Sequence, residues 1–411
     1  MNTAAATLAR PCITHRPPAA ARAVLQLLAR LSVGTLDLQR PDGGSERFGA
    51  ADPNGREPHA AIHLADWSVC SAVLKSGDIG FAEAYIDGRW STPDLVALLR
   101  LMLANREALE SLVYGSGWGA LLHRIRHLLR RNSRAGSRRN IHAHYDLGND
   151  FYRLWLDETM GYSSAWFGGD RTQPLIDAQL AKVKRALQAS GIQPGQRLLE
   201  IGCGWGSLAE IAARDHGAKV TGITLSTEQL DHGRRRLAAA GLDDKAQLRL
   251  QDYRDVSDAP FDAIVSIEMF EAVGREYWRD YFAALQRLLA PGGRACVQTI
   301  VIRDDLFERY ARSTDFIQQY VFPGGMLPSR QTFQAEAERA GLQVVEGFGF
   351  GADYAETLRR WRAAFSAREA EVRRLGFDTR FVRTWDFYLA YCEAAFDSGN
   401  TDVVQFTLAR R

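Results

Sequence analysis

The sequence predicts an α/β protein, a doubly wound, mostly parallel seven-stranded sheet of the Rossmann-like kind with a smaller mixed domain ahead of it. Three observations carry this. From Gln196 onward, short strand-like runs alternate with helical stretches, the pattern of a parallel sheet wrapped by crossover helices. A glycine-rich turn, Gly202-Cys203-Gly204-Trp205-Gly206, stands where the first of those strands meets its helix. At 411 residues the chain is also too long for one average domain.

In chain order, residues 1–18 are expected to be disordered, and 19–122 to form the N-terminal domain. That domain opens with an apolar helix over 19–31, turns at Pro41-Asp42-Gly43-Gly44 and Pro53-Asn54-Gly55, and carries a second helix over 94–105. Residues 123–139 read as a basic linker and 140–411 as the domain that holds the sheet. Its first five strands are expected at 197–201, 219–224, 247–251, 261–267 and 294–302. Helices at 208–216 and 227–240 follow the first two strands. A third, 276–289, is expected to stop at Pro291-Gly292-Gly293, because proline and glycine end helices. Two late strands, 342–350 and 402–409, flank long helices.

Composition narrows the function. Hydrophobic content of 46% and charged content of 24% are those of an ordinary globular protein. No apolar run reaches the roughly 18 residues of a membrane span, so any bilayer is met from one side. Cys12, Cys70, Cys203, Cys296 and Cys392 form no CxxC pair, which speaks against a zinc site or a disulfide framework and fits a reducing cytoplasm. No signal peptide is expected. A net charge of +2 implies no polyanion, and no nucleic acid is expected. The charge is unevenly placed, however. Arg124, Arg126, Arg130, Arg131, Arg134, Arg138 and Arg139 follow one another without an acidic residue, and Leu121, Leu122, Ile125, Leu128 and Leu129 recur at helical spacing. Either this is a solvated linker, or it docks on anionic lipid head groups, each cation contributing on the order of 1 kcal/mol.

The most specific motif is Leu199-Glu200-Ile201-Gly202-Cys203-Gly204-Trp205-Gly206. Glycines there let the backbone approach a ligand at the carboxyl end of the sheet. The last glycine comes one residue earlier than in the dinucleotide fingerprint, and Glu200 precedes the first by two. That arrangement resembles the first motif of S-adenosylmethionine methyltransferases, with Glu200 supporting the loop and the cofactor's amino-acid end. After the second strand, Thr224, Leu225 and Gln229 offer hydroxyl and amide groups to the ribose. After the third, Gln251, Asp252 and Tyr253 offer a carboxylate and a ring to adenine. Each alone is ordinary loop polarity; three such groups at three successive strand ends point to the cofactor.

Further stretches resemble the cyclopropane-fatty-acyl-phospholipid synthase family, which includes the mycolic acid cyclopropane synthases. They are Asn140-Ile141, His144-Tyr145-Asp146-Leu147-Gly148-Asn149-Asp150-Phe151-Tyr152, Met160-Gly161-Tyr162-Ser163-Ser164, Met269-Phe270-Glu271 and Phe322-Pro323-Gly324-Gly325, together with Gly77-Asp78 through Trp90. The resemblance implies transfer of the cofactor's methyl to an alkene carbon of an unsaturated phospholipid acyl chain. A carbocation results, and it closes to a cyclopropane when the new methyl loses a proton. It also implies a bound bicarbonate as base, held by a Cys, a Glu, a His, a Tyr and a backbone group. These fall on Ser164, Glu271, Gln298, Tyr354 and Ile300, while Tyr162 and Ser163 match cofactor contacts.

Two of those positions depart from the pattern, since Ser164 stands for the Cys and Gln298 for the His. Both still hydrogen-bond an anion, but neither titrates near neutral pH. Ala272 replaces the His that often follows the catalytic Glu. Glu271 is expected to stabilise the cation, and the rings of Tyr162, Trp166 and Phe322 either assist by cation–π attraction or simply pack. The altered positions leave two endings, a ring or a methyl-branched or methylene chain. A catalytically silent lipid-binding protein is a third reading. A lipid substrate would place the chain in the cytoplasm, peripherally on the inner face of the membrane at an anionic surface, and the resemblance alone implies a homodimer.

Overall fold

The computed structural model describes residues 16–50, 57–109 and 147–410, which fall into two compact units divided between Gly117 and Trp118. The expected disorder over most of 1–18, the turn at Pro53-Asn54-Gly55, the basic segment 123–139 and the stretch from Asn140 through Asp146 lie outside the described residues.

The N-terminal unit runs α1 (Ala19–Leu28), β1 (Thr35–Gln39), β2 (Ser45–Phe48), β3 (His59–Leu64), α2 (Ser68–Ile86), β4 (Trp90–Ser91) and α3 (Leu95–Ala104). Its sheet has the order β2-β1-β3-β4, with β1 and β3 parallel. Asp94, expected to open the second helix, caps it instead by accepting from the Ala97 amide at 2.9 Å. Trp90 is buried against Phe81, with ring centroids 4.2 Å apart.

The larger unit contains α4 (Asn149–Arg153), α5 (Leu175–Ser190), β5 (Arg197–Ile201), α6 (Ser207–Asp215), β6 (Lys219–Thr224), α7 (Thr227–Ala239), β7 (Ala246–Leu250), β8 (Phe261–Ile267), α8 (Trp278–Leu288) and β9 (Leu289–Ile302). Short helices α9 (Asp304–Tyr310), α10 (Phe316–Tyr320) and α11 (Arg330–Arg339) lead to β10 (Leu342–Gly349). Then come α12 (Gly351–Ala367), α13 (Glu369–Arg374), α14 (Thr379–Asp397) and β11 (Thr401–Arg410). The seven strands are ordered β10-β11-β9-β8-β5-β6-β7, and β11 alone runs antiparallel to its neighbours.

Alternation along the strands explains two-sided burial. Leu199, Ile201, Ile264, Ala295 and Val297 join one core with Phe270, Tyr281, Phe282 and Phe333. Leu198, Ala263, Val265 and Cys296 join the other with Val183, Leu187, Ala209 and Ile211.

One expectation is corrected here. The third crossover helix ends at Leu288, and Leu289 through Gly293 belong to the following strand rather than to a helix stop. Leu289 pairs with Phe261 and Arg294 with Ala263, so Pro291-Gly292-Gly293 forms the bulged entry to β9. Strand order reverses between β5 and β8. The loops leaving those two strands therefore splay apart and open the crevice in which open α/β sheets bind ligands.

Candidate active site

The cavity at that crevice is walled by the loops after β5, β6, β7 and β8, by the segment Thr159-Met160-Gly161-Tyr162-Ser163 and by one face of α5. Of the residues expected to hold the cofactor, Tyr162, Ser163, Glu200, Gly202, Gly204, Trp205, Thr224, Leu225, Gln229, Gln251, Asp252 and Tyr253 all line it. Gly206 does not. It sits behind the wall with φ +84°, and a Cβ there would stand 3.1 Å from the Gly233 Cα, so its place in the motif is a matter of helix packing.

Local bonds fix the wall. Trp205 Nε1 donates to Asn149 Oδ1 at 2.6 Å, tying the glycine turn to α4. Ser226 caps α7 by accepting from the Gln229 amide, and Thr224 Oγ1 donates to Gln229 Oε1 at 2.9 Å. Arg254 grips both oxygens of Asp252, at 2.8 and 2.6 Å, and so sets its orientation. Gln179 Nε2 donates to the carbonyls of Ser163 and Gly161 and holds that segment against α5.

The arrangement fits S-adenosylmethionine. Gly204 (φ +49°) lines the cavity with nothing within 4 Å of where a Cβ would be, a cradle that any other residue would fill. Glu200 is buried with Oε2 unpartnered, an acceptor suited to an ammonium. Burial raises its carboxyl well above the ordinary range, and the nearby Lys182 opposes that rise.

The anion-binding residues expected from the resemblance do not all meet around Glu271. That side chain, on the turn after β8, accepts from the Ile300 amide at 2.5 Å, and its Oε2 is sealed from solvent without a partner. The other three converge on Glu268. Its Oε1 accepts from the Ser164 amide at 2.8 Å and from Gln298 Nε2 at 2.7 Å, and its Oε2 accepts from the Tyr354 hydroxyl at 2.5 Å. The Ser164 hydroxyl is turned away and donates to the Ala165 carbonyl. The Gln298 amide, the Tyr354 hydroxyl and the Ile300 amide are thus committed to glutamates of the chain and the Ser164 hydroxyl to a carbonyl, so the residues present do not fit a bound bicarbonate.

Glu268 and Lys182 were not singled out from the sequence. Lys182 is buried within the inward stripe of α5 and donates to Ser163 Oγ at 2.5 Å. Burial lowers its ammonium to about 8, with Glu268, Asp157 and Glu200 pulling the other way. A lysine in phase with Ala178, Val183 and Ala186 was the available signal. Glu268 sits directly before the quoted Met269-Phe270-Glu271. With Met160 it is one of two non-glycine residues at positive φ (+48° and +58°) among the described residues, and both line the cavity. Such backbone costs about 1–3 kcal/mol and clusters at functional sites. Burial raises both carboxyls, Glu271 to about 8, where the like charge of Glu268 adds to it.

The aromatic side chains divide. Tyr162 is caged by Tyr152, Trp155 and Trp361, with centroids 5.4–5.5 Å away, and shares a 2.7 Å hydrogen bond with the Tyr388 hydroxyl. Trp166 packs edge-on against Phe348, and Phe322 lies 6.1 Å from Tyr388.

Comparison with known proteins places this site in context. Residues 132–406 match the family model described as mycolic acid cyclopropane synthetase. A tuberculostearic acid methyltransferase from Mycobacterium tuberculosis is 40% identical over 406 residues, covering 95% of this chain and 92% of its own. A cyclopropane-fatty-acyl-phospholipid synthase from Escherichia coli is 34% identical over 374 residues, 87% and 89% of the two chains. Among solved structures, a mycolic acid cyclopropane synthase complexed with S-adenosylhomocysteine superposes with a TM-score of 0.62 at 35% identity, over 66% of this chain and 97% of that one.

Proposed function

The chain belongs to the mycolic acid cyclopropane synthetase family of S-adenosylmethionine-dependent methyltransferases, and from that premise we propose that it adds a carbon to the cis double bond of an unsaturated fatty-acyl phospholipid, closing it to a cyclopropane. The observation that carries this reading is the pair Glu268 and Glu271, two buried carboxylates on the turn after β8 beside the cofactor cavity. A cation developing on carbon in an apolar site needs preorganised negative charge.

Bound S-adenosylmethionine supplies an electrophilic methyl group. The chain's own part is to orient and to exclude water. The Tyr162-Ser163 segment, held by Gln179 and Lys182, closes one wall, and Met269, Ala272 and Val273 present apolar surface on another. Glu271, fixed by the Ile300 amide, is a carboxyl that need not turn as the cation forms, and a nearby positive charge favours its ionised form.

A second reading ends in a methylene chain, and a specific observation favours it. The relative matching 95% of this chain is named a methyltransferase rather than a cyclopropane synthase. Both endings release a proton from the transferred carbon. They differ in whether a hydride first shifts between the two former alkene carbons, which depends on how quickly the base acts. A saturated methyl branch would need a further reduction by another protein.

Among the described residues no helix is long and apolar enough to cross a membrane. We extend the proposal to residues 19–122 as a lipid-associated domain and to Arg124–Arg139 as the contact with anionic head groups on the inner face, with a homodimer as the working assembly. Mass spectrometry of lipids from cells expressing the chain tests the catalytic reading. A product heavier by one CH₂ is expected, with fragmentation separating ring from methylene, and it should be lost in Glu271→Gln. Absence of any such product refutes the proposal.

A further inference from the structure

Resting on that reading, we propose that Glu268 is the base of the reaction: a carboxylate built into the chain stands where the family resemblance places a bicarbonate. The geometry supports this in three ways.

First, the carboxylate is an acceptor for three separate donors, a backbone amide, a side-chain amide and a phenol, all at 2.5–2.8 Å. Three donors on one carboxylate favour its ionised form against burial. Second, the orientation of the Gln298 amide is not arbitrary. Arg185 has only donors, so it must meet the oxygen of Gln405, which it does at 2.7 Å. The Gln405 nitrogen then donates to Gln298 Oε1 at 3.0 Å, which leaves the Gln298 nitrogen facing Glu268. The polarity of that chain makes sense only if an acceptor waits at its end. Third, Glu268 is held from its backbone as well. Its own amide donates to the Gln298 carbonyl at 2.8 Å while its φ lies at +48°, and the residue lines the cofactor cavity. A side chain serving only to organise its neighbours would need neither the left-handed backbone nor a place in that wall.

The step balances without another reactant. Transfer breaks the carbon–sulfur bond and makes a carbon–carbon bond, leaving S-adenosylhomocysteine and a cation on the adjacent carbon. A C–H bond of the new methyl then breaks. Its proton goes to a Glu268 oxygen, and its electron pair forms the third side of the ring, or the double bond of a methylene product after a hydride shift. The proton is later returned to solvent.

The test uses the full chain, oleoyl-phospholipid vesicles and buffers stripped of carbon dioxide. Wild-type turnover is expected to be the same without and with added bicarbonate. Glu268→Gln should lose at least about 100-fold in turnover, the scale of a general base, while binding S-adenosylhomocysteine within a few-fold of wild type by calorimetry. ¹³C-bicarbonate should show no line broadening with wild type. A wild type that turns over only with bicarbonate, or that broadens the ¹³C signal, overturns the assignment, as does Glu268→Gln with more than a tenth of wild-type activity. Should Glu268→Gln fail to fold, the two wild-type measurements still decide. A wild type that methylates no lipid under either condition refutes the proposed function instead.

Discussion

Replacing Glu271 with Gln should stabilise the protein more the higher the pH. The carboxyl is sealed from solvent at Oε2, and the bond that Oε1 accepts from the Ile300 amide survives in the amide. Burial and the neighbouring Glu268 raise it from 4.5 to about 8. A raised carboxyl folds without penalty below its unfolded value and loses stability as pH climbs from 4.5 through 8, at about 1.4 kcal/mol per unit. Between about pH 5.5 and pH 7.5 the wild type should therefore lose roughly 2–3 kcal/mol that Glu271→Gln keeps. With a urea slope of about 3 kcal/mol/M, that is a divergence of midpoints of roughly 0.7–1 M. Every distant group titrates alike in both proteins and cancels. Glu268 does not cancel, but it loses a like-charged neighbour, which acts in the same direction. The assay is urea unfolding of both proteins at the two pH values, without cofactor. A midpoint difference that stays constant across this range would show that Glu271 ionises normally, and the electrostatic account of the carboxylate pair would fall.

Gln405→Leu frees the Gln298 amide to turn and should reduce turnover about tenfold while leaving S-adenosylhomocysteine affinity unchanged, the pattern of a positioning residue; a matching loss of affinity would contradict it. Gly206→Ala places a Cβ in left-handed backbone 3.1 Å from Gly233, and should cost about 2–4 kcal/mol, seen as a lower unfolding midpoint. Affinity for S-adenosylmethionine should rise with pH while that for S-adenosylhomocysteine stays flatter. Burial raises Glu268 and Glu200, and the sulfonium favours their ionised forms. Parallel pH profiles for the two ligands, measured by calorimetry, would remove that coupling.

Much of this was legible in the sequence because the signals are local. The strands β5, β6 and β8 begin and end where apolar alternation places them, and the glycine turn announces the cofactor. The family resemblance also pointed to Tyr354, Gln298 and Ser164, which the structure brings together around one carboxylate. It could not show which carboxylate they meet. Glu268 and Glu271 are three residues apart on a turn, and only the left-handed backbone at Glu268 separates their directions. Lys182 was hidden for a related reason. On α5 it shares the inward stripe with Ala178, Val183 and Ala186, but a lysine this close to Lys184 and Arg185 reads at first as part of a solvated face. The Pro291-Gly292-Gly293 bulge misled in the opposite way. Residues that end a helix also enter a strand, and pairing with β8 decided between the two.

The distribution of charge around the cavity matches the reaction more closely than any single residue does. Lys182, a buried cation, is set among the carboxyls of Glu268, Asp157 and Glu200, and burial makes ionising Glu200, Glu268 and Glu271 costly. A sulfonium relieves that cost on binding. Methyl transfer then moves the positive charge from sulfur to carbon without creating or destroying any, so the field that binds the cofactor also stabilises the cation that follows it. Because Glu268 and Glu271 are fixed by the backbone amides of Ser164 and Ile300, neither has to turn as the charge moves. Positive charge leaves the site only when a proton is taken from carbon. A carboxylate already in the wall can do that at once, whereas a diffusible anion would first have to be bound among donors that this chain has given to Glu268.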